Sequence, residues 1–229
     1  MTARIDVVVP TLDAAATLPR TLAGLAGAGC GLALDVTVSD GGSSDATADI
    51  ARRSGARVIV TEPGRGGQLA AGAAAGEAPW LLFLHADTVL GDGWCDAVRQ
   101  FVDEPDNATR AGHFRLRFDT TDRRARRVER LAAWRSRALG LPYGDQGLLI
   151  ARAFYRQTGG FRPLPLMEDV DLVRRIGRRR LVALPADAVT SPRRYERDGW
   201  TRRPLRNLTC LTLYLAGAPL PVVQRLYGR

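Results

Sequence analysis

The sequence predicts an α/β fold, a mostly parallel mixed sheet flanked by helices, and three observations carry the prediction. Short apolar runs alternate with segments of helical spacing across residues 1–110, the rhythm of right-handed strand–helix–strand crossovers. Gly-rich and acidic clusters follow those runs directly, at what would be the C-terminal strand ends, where open α/β sheets collect their ligands. A chain of 229 residues with 45% hydrophobic content can also bury a sizeable core.

Each element follows from the local pattern. Ile5–Val9 reads as a buried strand stopped by Pro10, and Thr17–Leu25 as an amphipathic helix. Leu34–Ser39 is a second strand, running into Asp40-Gly41-Gly42-Ser43-Ser44-Asp45; Ala46–Arg53 is then helical, with Ser44 or Asp45 as N-cap. Arg57–Thr61 is a strand ending at Glu62-Pro63-Gly64-Arg65-Gly66-Gly67, followed by the Ala-rich helix Gln68–Ala75. Trp80–Leu84 is the fourth strand and Trp94–Val102 the next helix. Gly112–Phe118 alternates apolar and polar residues as an edge or mixed strand would. Asp122–Leu139 is a long, Arg-studded amphipathic helix, open both to a plain solvated reading and to a phosphate or lipid contact. A loop at 140–146, the strand Gly147–Ala151 and the helix Arg152–Thr158, closed by Gly159-Gly160, come next. Glu168–Arg178 is a helix whose acidic first turn and basic last turn suit its macrodipole. Leu181–Leu184 and Ala188–Thr190 are two short strands, and Leu208–Ala218 is an uncharged, Leu-rich helix.

Charge is divided unevenly. All 33 basic residues are Arg; residues 1–110 carry 8 Arg against 14 acids, whereas residues 111–229 carry 25 against 10. The basic half should attract phosphates, acidic lipids or nucleic acid. No nucleic-acid module is recognisable and few aromatics interleave the arginines, so nucleic acid is not the expected partner. Cys30, Cys95 and Cys210 are scattered and without C-x-x-C spacing, which points to packing rather than disulfides or zinc. The N-terminus resembles no signal peptide, and Leu208–Ala218 is too short to span a bilayer, so a cytoplasmic address is expected. The cluster Arg193, Arg194, Arg197, Arg202, Arg203 and Arg206 before that helix would suit a peripheral contact at the inner face of the cell membrane.

Four clusters carry chemistry. Asp40, at a strand end beside two glycines, could accept from a base N–H or a ribose hydroxyl. Gly64-Arg65-Gly66-Gly67-Gln68 offers an Arg at a helix N-terminus, an anion site. His85 and Asp87 close an apolar strand and are the candidates for holding a divalent cation against a diphosphate. Glu168 and Asp169 open a helix and, being adjacent, point in different directions.

In order along the chain, P-T-L-D-A-A-A-T-L (10–18), V-S-D-G-G-S-S-D (38–45), G-R-G-G-Q (64–68), L-F-L-H-A-D (82–87), Y-G-D-Q-G-L (143–148), G-G-F (159–161) and M-E-D-V-D-L (167–172) resemble family 2 glycosyltransferases of the GT-A fold. More narrowly, H-A-D, G-L-P-Y-G-D-Q-G and P-L-M-E-D-V-D look like a bacterial subgroup associated with radical-SAM and selenium-domain proteins, of the arsenosugar biosynthesis type. The resemblance implies one domain over 1–229: a nucleotide-binding half (1–110), an acceptor and catalytic half (111–206) and a C-terminal helix and tail (207–229). It implies an inverting transfer from a nucleotide-diphosphate sugar to an unidentified acceptor, with Mn²⁺ or Mg²⁺ as cofactor. Asp169 would be the general base and Glu168 would orient it or the acceptor. Asp40, Arg65 and Asp87 would hold the donor, with Asp87 and His85 on the metal. Ser191-Pro192-Arg193-Arg194-Tyr195 resembles the Q-x-x-R-W motif of processive relatives, which gives Arg194 to the diphosphate and Tyr195 to stacking; Asp145, Gln146 and Tyr195 would lie on the acceptor side. Three departures stand out: H-A-D replaces D-x-D, Gly41 replaces the second Asp of D-D-G-S, and Ser191 replaces the Gln. Processive synthesis is therefore not expected. A nucleotidyltransferase on the same fold is the alternative, and a nucleic-acid-binding protein a more distant one.

Overall fold

The computed structural model describes residues 2–26 and 31–228. Cys30 lies outside them; Cys95 and Cys210 both pack against apolar clusters, as expected. The elements run β1 (Arg4–Thr11), α1 (Leu18–Ala26), β2 (Ala33–Asp40), α2 (Thr47–Arg53), β3 (Arg57–Val60), α3 (Arg65–Ala74), β4 (Trp80–Phe83), β5 (Thr88–Leu90) and α4 (Trp94–Asp103). They continue as β6 (Ala111–Phe118), α5 (Arg123–Leu139), β7 (Leu148–Ala151), α6 (Arg152–Gln157), α7 (Glu168–Ile176), β8 (Leu181–Thr190), α8 (Arg193–Asp198), α9 (Arg202–Leu215) and α10 (Leu220–Tyr227).

One eight-stranded sheet has the order β3-β2-β1-β4-β7-β6-β8-β5. The first four strands are parallel, β7 runs antiparallel to β4 and β6, β8 is parallel to β6, and β5 is antiparallel to β8. The mixed sheet predicted from the crossover rhythm is present, with β7 and β5 as the reversed strands. Its centre is fully apolar: Val7, Val8, Leu81, Leu82, Leu149 and Ile150 are all buried, as expected where helices cover both faces. A buried ion pair fastens the sheet, Asp6 of β1 to Arg152 at the start of α6, and Arg152 also donates to the Ala78 carbonyl at 2.6 Å.

Several boundaries differ from the pattern. β1 passes through Pro10 to Thr11. Val8 accepts from Leu84 on the β4 side and Thr11 accepts from Gly41 on the β2 side, so Pro10, like Val8, faces the β4 side. β4 ends opposite Val8, and no ladder donor is needed there. β8 is one strand rather than two, but its pairing with β6 jumps from Ala183 to Asp187, and Pro185 sits in that interruption. Asp45 caps α2 from one residue outside, accepting from the Thr47 N–H at 2.9 Å. α3 begins at Arg65, three residues early, and α9 at Arg202, six residues early; β5 and α8 were not expected at all.

Candidate active site

A cleft opens beyond the C-terminal ends of β4 and β6 and is walled on its far side by the chain after β8. Of the residues expected at a site, Arg65, His85, Asp87, Asp145, Asp169, Arg194 and Tyr195 line it. Thr190 and Ser191 at the end of β8 line it too, as do Arg203, Asn207 and Tyr227; no spacing rule pointed to the last three, because helices far along the chain bring them there.

Local structure aims each group. Leu84 extends the β4 pairing through its N–H to the Val8 carbonyl (3.0 Å), and His85 and Asp87 follow at the strand end. The Asp87 carbonyl accepts from the Ser191 N–H (3.2 Å), which ties this turn to the end of β8. Met167 precedes α7 in a left-handed conformation (φ 64°), an uncommon state for a residue with a Cβ. The bend separates the two carboxylates that follow it. Asp169 faces the cleft and its Oδ2 accepts from the Gly144 N–H at 2.8 Å. Glu168 turns inward, 1% exposed, and pairs with Arg65.

That inward turn differs from the expectation that Glu168 orients Asp169 or the acceptor: its side chain is buried against Arg65. Gln146 is corrected as well. Its side chain is buried away from the cleft, accepting from Ser136 Oγ at 2.9 Å and from Arg135 at 3.1 Å while donating to the Phe114 carbonyl at 3.0 Å. It anchors the turn that carries Gly144 and Asp145. Asp40 likewise lies outside the cleft wall; Oδ1 accepts from Thr11 Oγ1 (2.8 Å) and Ser43 Oγ (2.5 Å), Oδ2 from the Ser43 N–H (2.9 Å). Burial alone would raise this carboxyl, and those donors outweigh it and hold it below its ordinary range. The polar groups nearer solvent there are Asp13, in a left-handed conformation at φ 48°, and Ser44, whose N–H donates to Asp13 at 2.8 Å.

The electrostatics of the cleft are strongly structured. Burial, reinforced by the Arg65 and Arg194 guanidiniums, drives the His85 imidazole well below its ordinary value, so it is neutral at pH 7. Burial would depress Arg65, but Glu168 and then Asp169 outweigh it and push the guanidinium above its usual range. Burial pushes the Asp145 carboxyl up to about 6; Arg135 opposes the rise while Asp169 and Asp87 add to it. Asp145 Oδ1 is buried with no hydrogen-bond partner. Burial also raises the Tyr143 phenol to about 12, with Arg135 resting 3.4 Å from its ring centroid. Tyr195 gives one ring face to Trp200, stacked at 5.3 Å, and makes a T-shaped contact with Phe118 at 4.8 Å.

Three carboxylates, Asp87, Asp145 and Asp169, and three arginines, Arg65, Arg194 and Arg203, therefore line one cleft. This donor set fits a divalent cation: Asp87 as carboxylate, His85 as neutral imidazole, the form that ligates metal. Among the described residues no cluster of three or more such ligands forms.

A family model for glycosyl transferase family 2 matches residues 6–162, more than half of the chain. The chain belongs to this family. Among its relatives is the PGL/p-HBAD biosynthesis glycosyltransferase of Mycobacterium bovis (strain BCG / Pasteur 1173P2), 39% identical over 98 residues; the match spans 37% of this chain and 36% of the relative. The chain thus matches about a third of the length of the curated relatives. Among solved structures, glucosyl-3-phosphoglycerate synthase from Mycobacterium tuberculosis, in complex with Mn²⁺, UDP and glucosyl-3-phosphoglycerate, superposes with a TM-score of 0.61 at 22% identity, over 95% of this chain and 81% of that one. S. aureus TarS 1-349 in complex with UDP superposes with a TM-score of 0.59 at 15% identity, over 99% of this chain and 70% of that one. At these identities the likeness establishes the fold, which is of GT-A type. Among its described residues no helix is long and apolar enough to cross a membrane.

Proposed function

We propose that this transferase moves a sugar from a nucleotide-diphosphate donor to an acceptor hydroxyl by single displacement with inversion. The observation that carries the reading is the pairing in one cleft of a hydrogen-bonded, cleft-facing carboxylate, Asp169, with two guanidiniums, Arg65 and Arg194. The acceptor hydroxyl gives its proton to Asp169, its oxygen bonds to the anomeric carbon, and the bond from that carbon to the diphosphate breaks. The electron pair leaves with the nucleoside diphosphate, whose charge Arg65 and Arg194 offset. The Gly144 N–H holds Asp169 in place and the Glu168 carboxylate holds Arg65. Asp87 and His85 would hold Mn²⁺ or Mg²⁺, which supplies Lewis-acid stabilisation of the leaving diphosphate. Asp40 shapes the β2 loop so that Asp13 and Ser44 present polar groups to the base or ribose.

In this reading residues 1–110 hold the nucleotide and 111–206 the acceptor, with Asp145 and Tyr195 on the acceptor side. The narrower subgroup is supported by the H-A-D, G-L-P-Y-G-D-Q-G and P-L-M-E-D-V-D motifs, and a peripheral contact of the C-terminal helices with a membrane is proposed independently of the reaction.

The test is calorimetric binding of UDP, GDP, CDP and dTDP, each with Mn²⁺ and with chelator, followed by transfer with Asp169→Asn. Metal-dependent binding of one nucleotide and loss of transfer without loss of binding are expected. Transfer retained by Asp169→Asn overturns the base assignment; release of pyrophosphate in place of a nucleoside diphosphate makes the protein a nucleotidyltransferase.

A further inference from the structure

Among the described residues, ten large apolar side chains are strongly exposed, and eight of them lie on α5, α9 and α10: Leu131, Trp134, Leu139, Leu205, Leu208, Leu215, Val222 and Leu226. On α9 the spacing Leu205, Leu208, Thr212, Leu215 makes one continuous outward row. The opposite face of α9 is spent on the fold, with Cys210 and Leu211 buried against Val170 and Val173 of α7. α5 repeats the arrangement: Ala125, Val128 and Ala132 pack inward against Leu116, Phe118 and Trp200, while Leu131 and Trp134 point out.

The same outward surfaces are basic. Five exposed arginines stud α5 from Arg123 to Arg137, and its single acid, Glu129, is buried and paired with Arg117 and Arg126. Arg193, Arg197, Arg202 and Arg225 are exposed along α8 to α10. A second copy of this chain would bring arginine against arginine. An anionic bilayer answers both properties at once, since it takes apolar side chains into the acyl boundary, Trp at the headgroup level and arginine against phosphate.

Both surfaces border the reaction cleft. Arg135 of α5 covers the ring of Tyr143, a cleft residue, and α9 and α10 contribute Arg203, Asn207 and Tyr227 to the cleft wall. We infer that α5, α9 and α10 seat the protein on an anionic membrane surface with the cleft opening at that surface, and that the acceptor is an amphiphile held in the membrane. The acceptor assignment rests on the transferase reading; the surface does not.

The experiment is co-sedimentation of the full chain with vesicles of phosphatidylcholine alone and of phosphatidylcholine with one-third phosphatidylglycerol, in parallel with nucleotide calorimetry. The wild type should sediment with the anionic vesicles and not the neutral ones, weakening as salt is raised. Leu205→Glu/Leu208→Glu and, separately, Trp134→Glu should each cut vesicle affinity by about tenfold or more while leaving nucleotide binding unchanged, which also shows that the variants fold. Wild type that ignores both vesicles overturns the inference. So does undiminished vesicle binding by both variants, or a vesicle-free dimer that the same variants dissolve. Vesicle binding that follows the variants in a protein without nucleotide affinity upholds the surface and sinks the transferase reading instead.

Discussion

Replacing Glu168 by Gln tests the buried pair that it makes with Arg65. The two side chains are nearly the same size, so no cavity opens, and what is lost is the charge opposite Arg65. Glu168 is 1% exposed and Arg65 27%. Breaking a fully buried pair from one side costs about 3–5 kcal/mol. Arg65 keeps part of its surface in water and has Asp169 nearby, which brings the expected cost to roughly 2–3 kcal/mol. At about 2–4 °C per kcal/mol for a chain of this size, the melting temperature should fall by ~4–12 °C. Differential scanning calorimetry in chelator reads it, with Arg65→Met and the double variant completing a cycle. The double variant should recover part of the loss, with a coupling of about 1–3 kcal/mol. Nucleotide affinity should fall in both single variants, because the guanidinium is either unmoored or absent. A Glu168→Gln protein as stable as wild type, with additive single effects, would refute the claim that the pair is one unit.

Three further outcomes follow from the cleft. A Cβ on residue 144 would sit 2.6 Å from His85 Nε2 and 3.5 Å from Asp169 Oδ2, so Gly144→Ala must displace the ring or the turn; kcat should drop by about 10²-fold, with nucleoside diphosphate affinity little changed in calorimetry. Because the folded Asp145 carboxyl titrates near 6, above its ordinary 3.8, the folded state binds the extra proton and stability falls as pH rises between those values. Asp145→Asn should therefore raise the melting temperature in chelator at pH 7.5, by an amount equivalent to about 1–3 kcal/mol, with the gain vanishing near pH 4. Asp198 accepts from Arg197 at 2.8 Å and Arg203 at 2.9 Å, and those guanidiniums hold its carboxyl below the ordinary range; this contribution is present above about pH 4 and is lost as pH falls below it. Asp198→Asn should speed proteolytic cleavage within 199–228 at pH 7 and raise the acceptor KM without changing nucleotide affinity; equal cleavage rates would remove Asp198 as the tie.

The first half of the chain was legible because its polar clusters sit at strand ends. A buried strand writes itself as an apolar run, and whatever follows it must lie at the sheet edge, so Arg65, His85 and Asp87 could be placed from spacing alone. Direction of a side chain was not legible in the same way. Asp40 and Glu168 turn into the protein, where Thr11 and Ser43 take up the Asp40 oxygens and Arg65 pairs with Glu168 Oε1; Thr11 and Arg65 come from distant positions that periodicity does not encode. Gln146 was misplaced for the same reason, its partners lying on α5 and β6. β5 was missed because its three residues are too short for an alternation to register.

The family match ends at residue 162, and Asp169, Arg194, Arg203, Asn207 and Tyr227 all lie beyond it. The cleft thus joins two kinds of wall. On one side, backbone at strand ends positions Arg65, His85 and Asp87. On the other, the wall is helix packing: α9 and α10 are held by Arg203, which bonds both Asp198 and the Tyr227 hydroxyl (2.7 Å), and by the apolar seam of Cys210, Leu211 and Val223 against α7. Side chains on such a wall can change without disturbing the sheet, because they touch one another more than they touch the strands. Acceptor preference is therefore expected to follow substitutions on α8 to α10, and nucleotide preference to follow those at the ends of β1, β2 and β4.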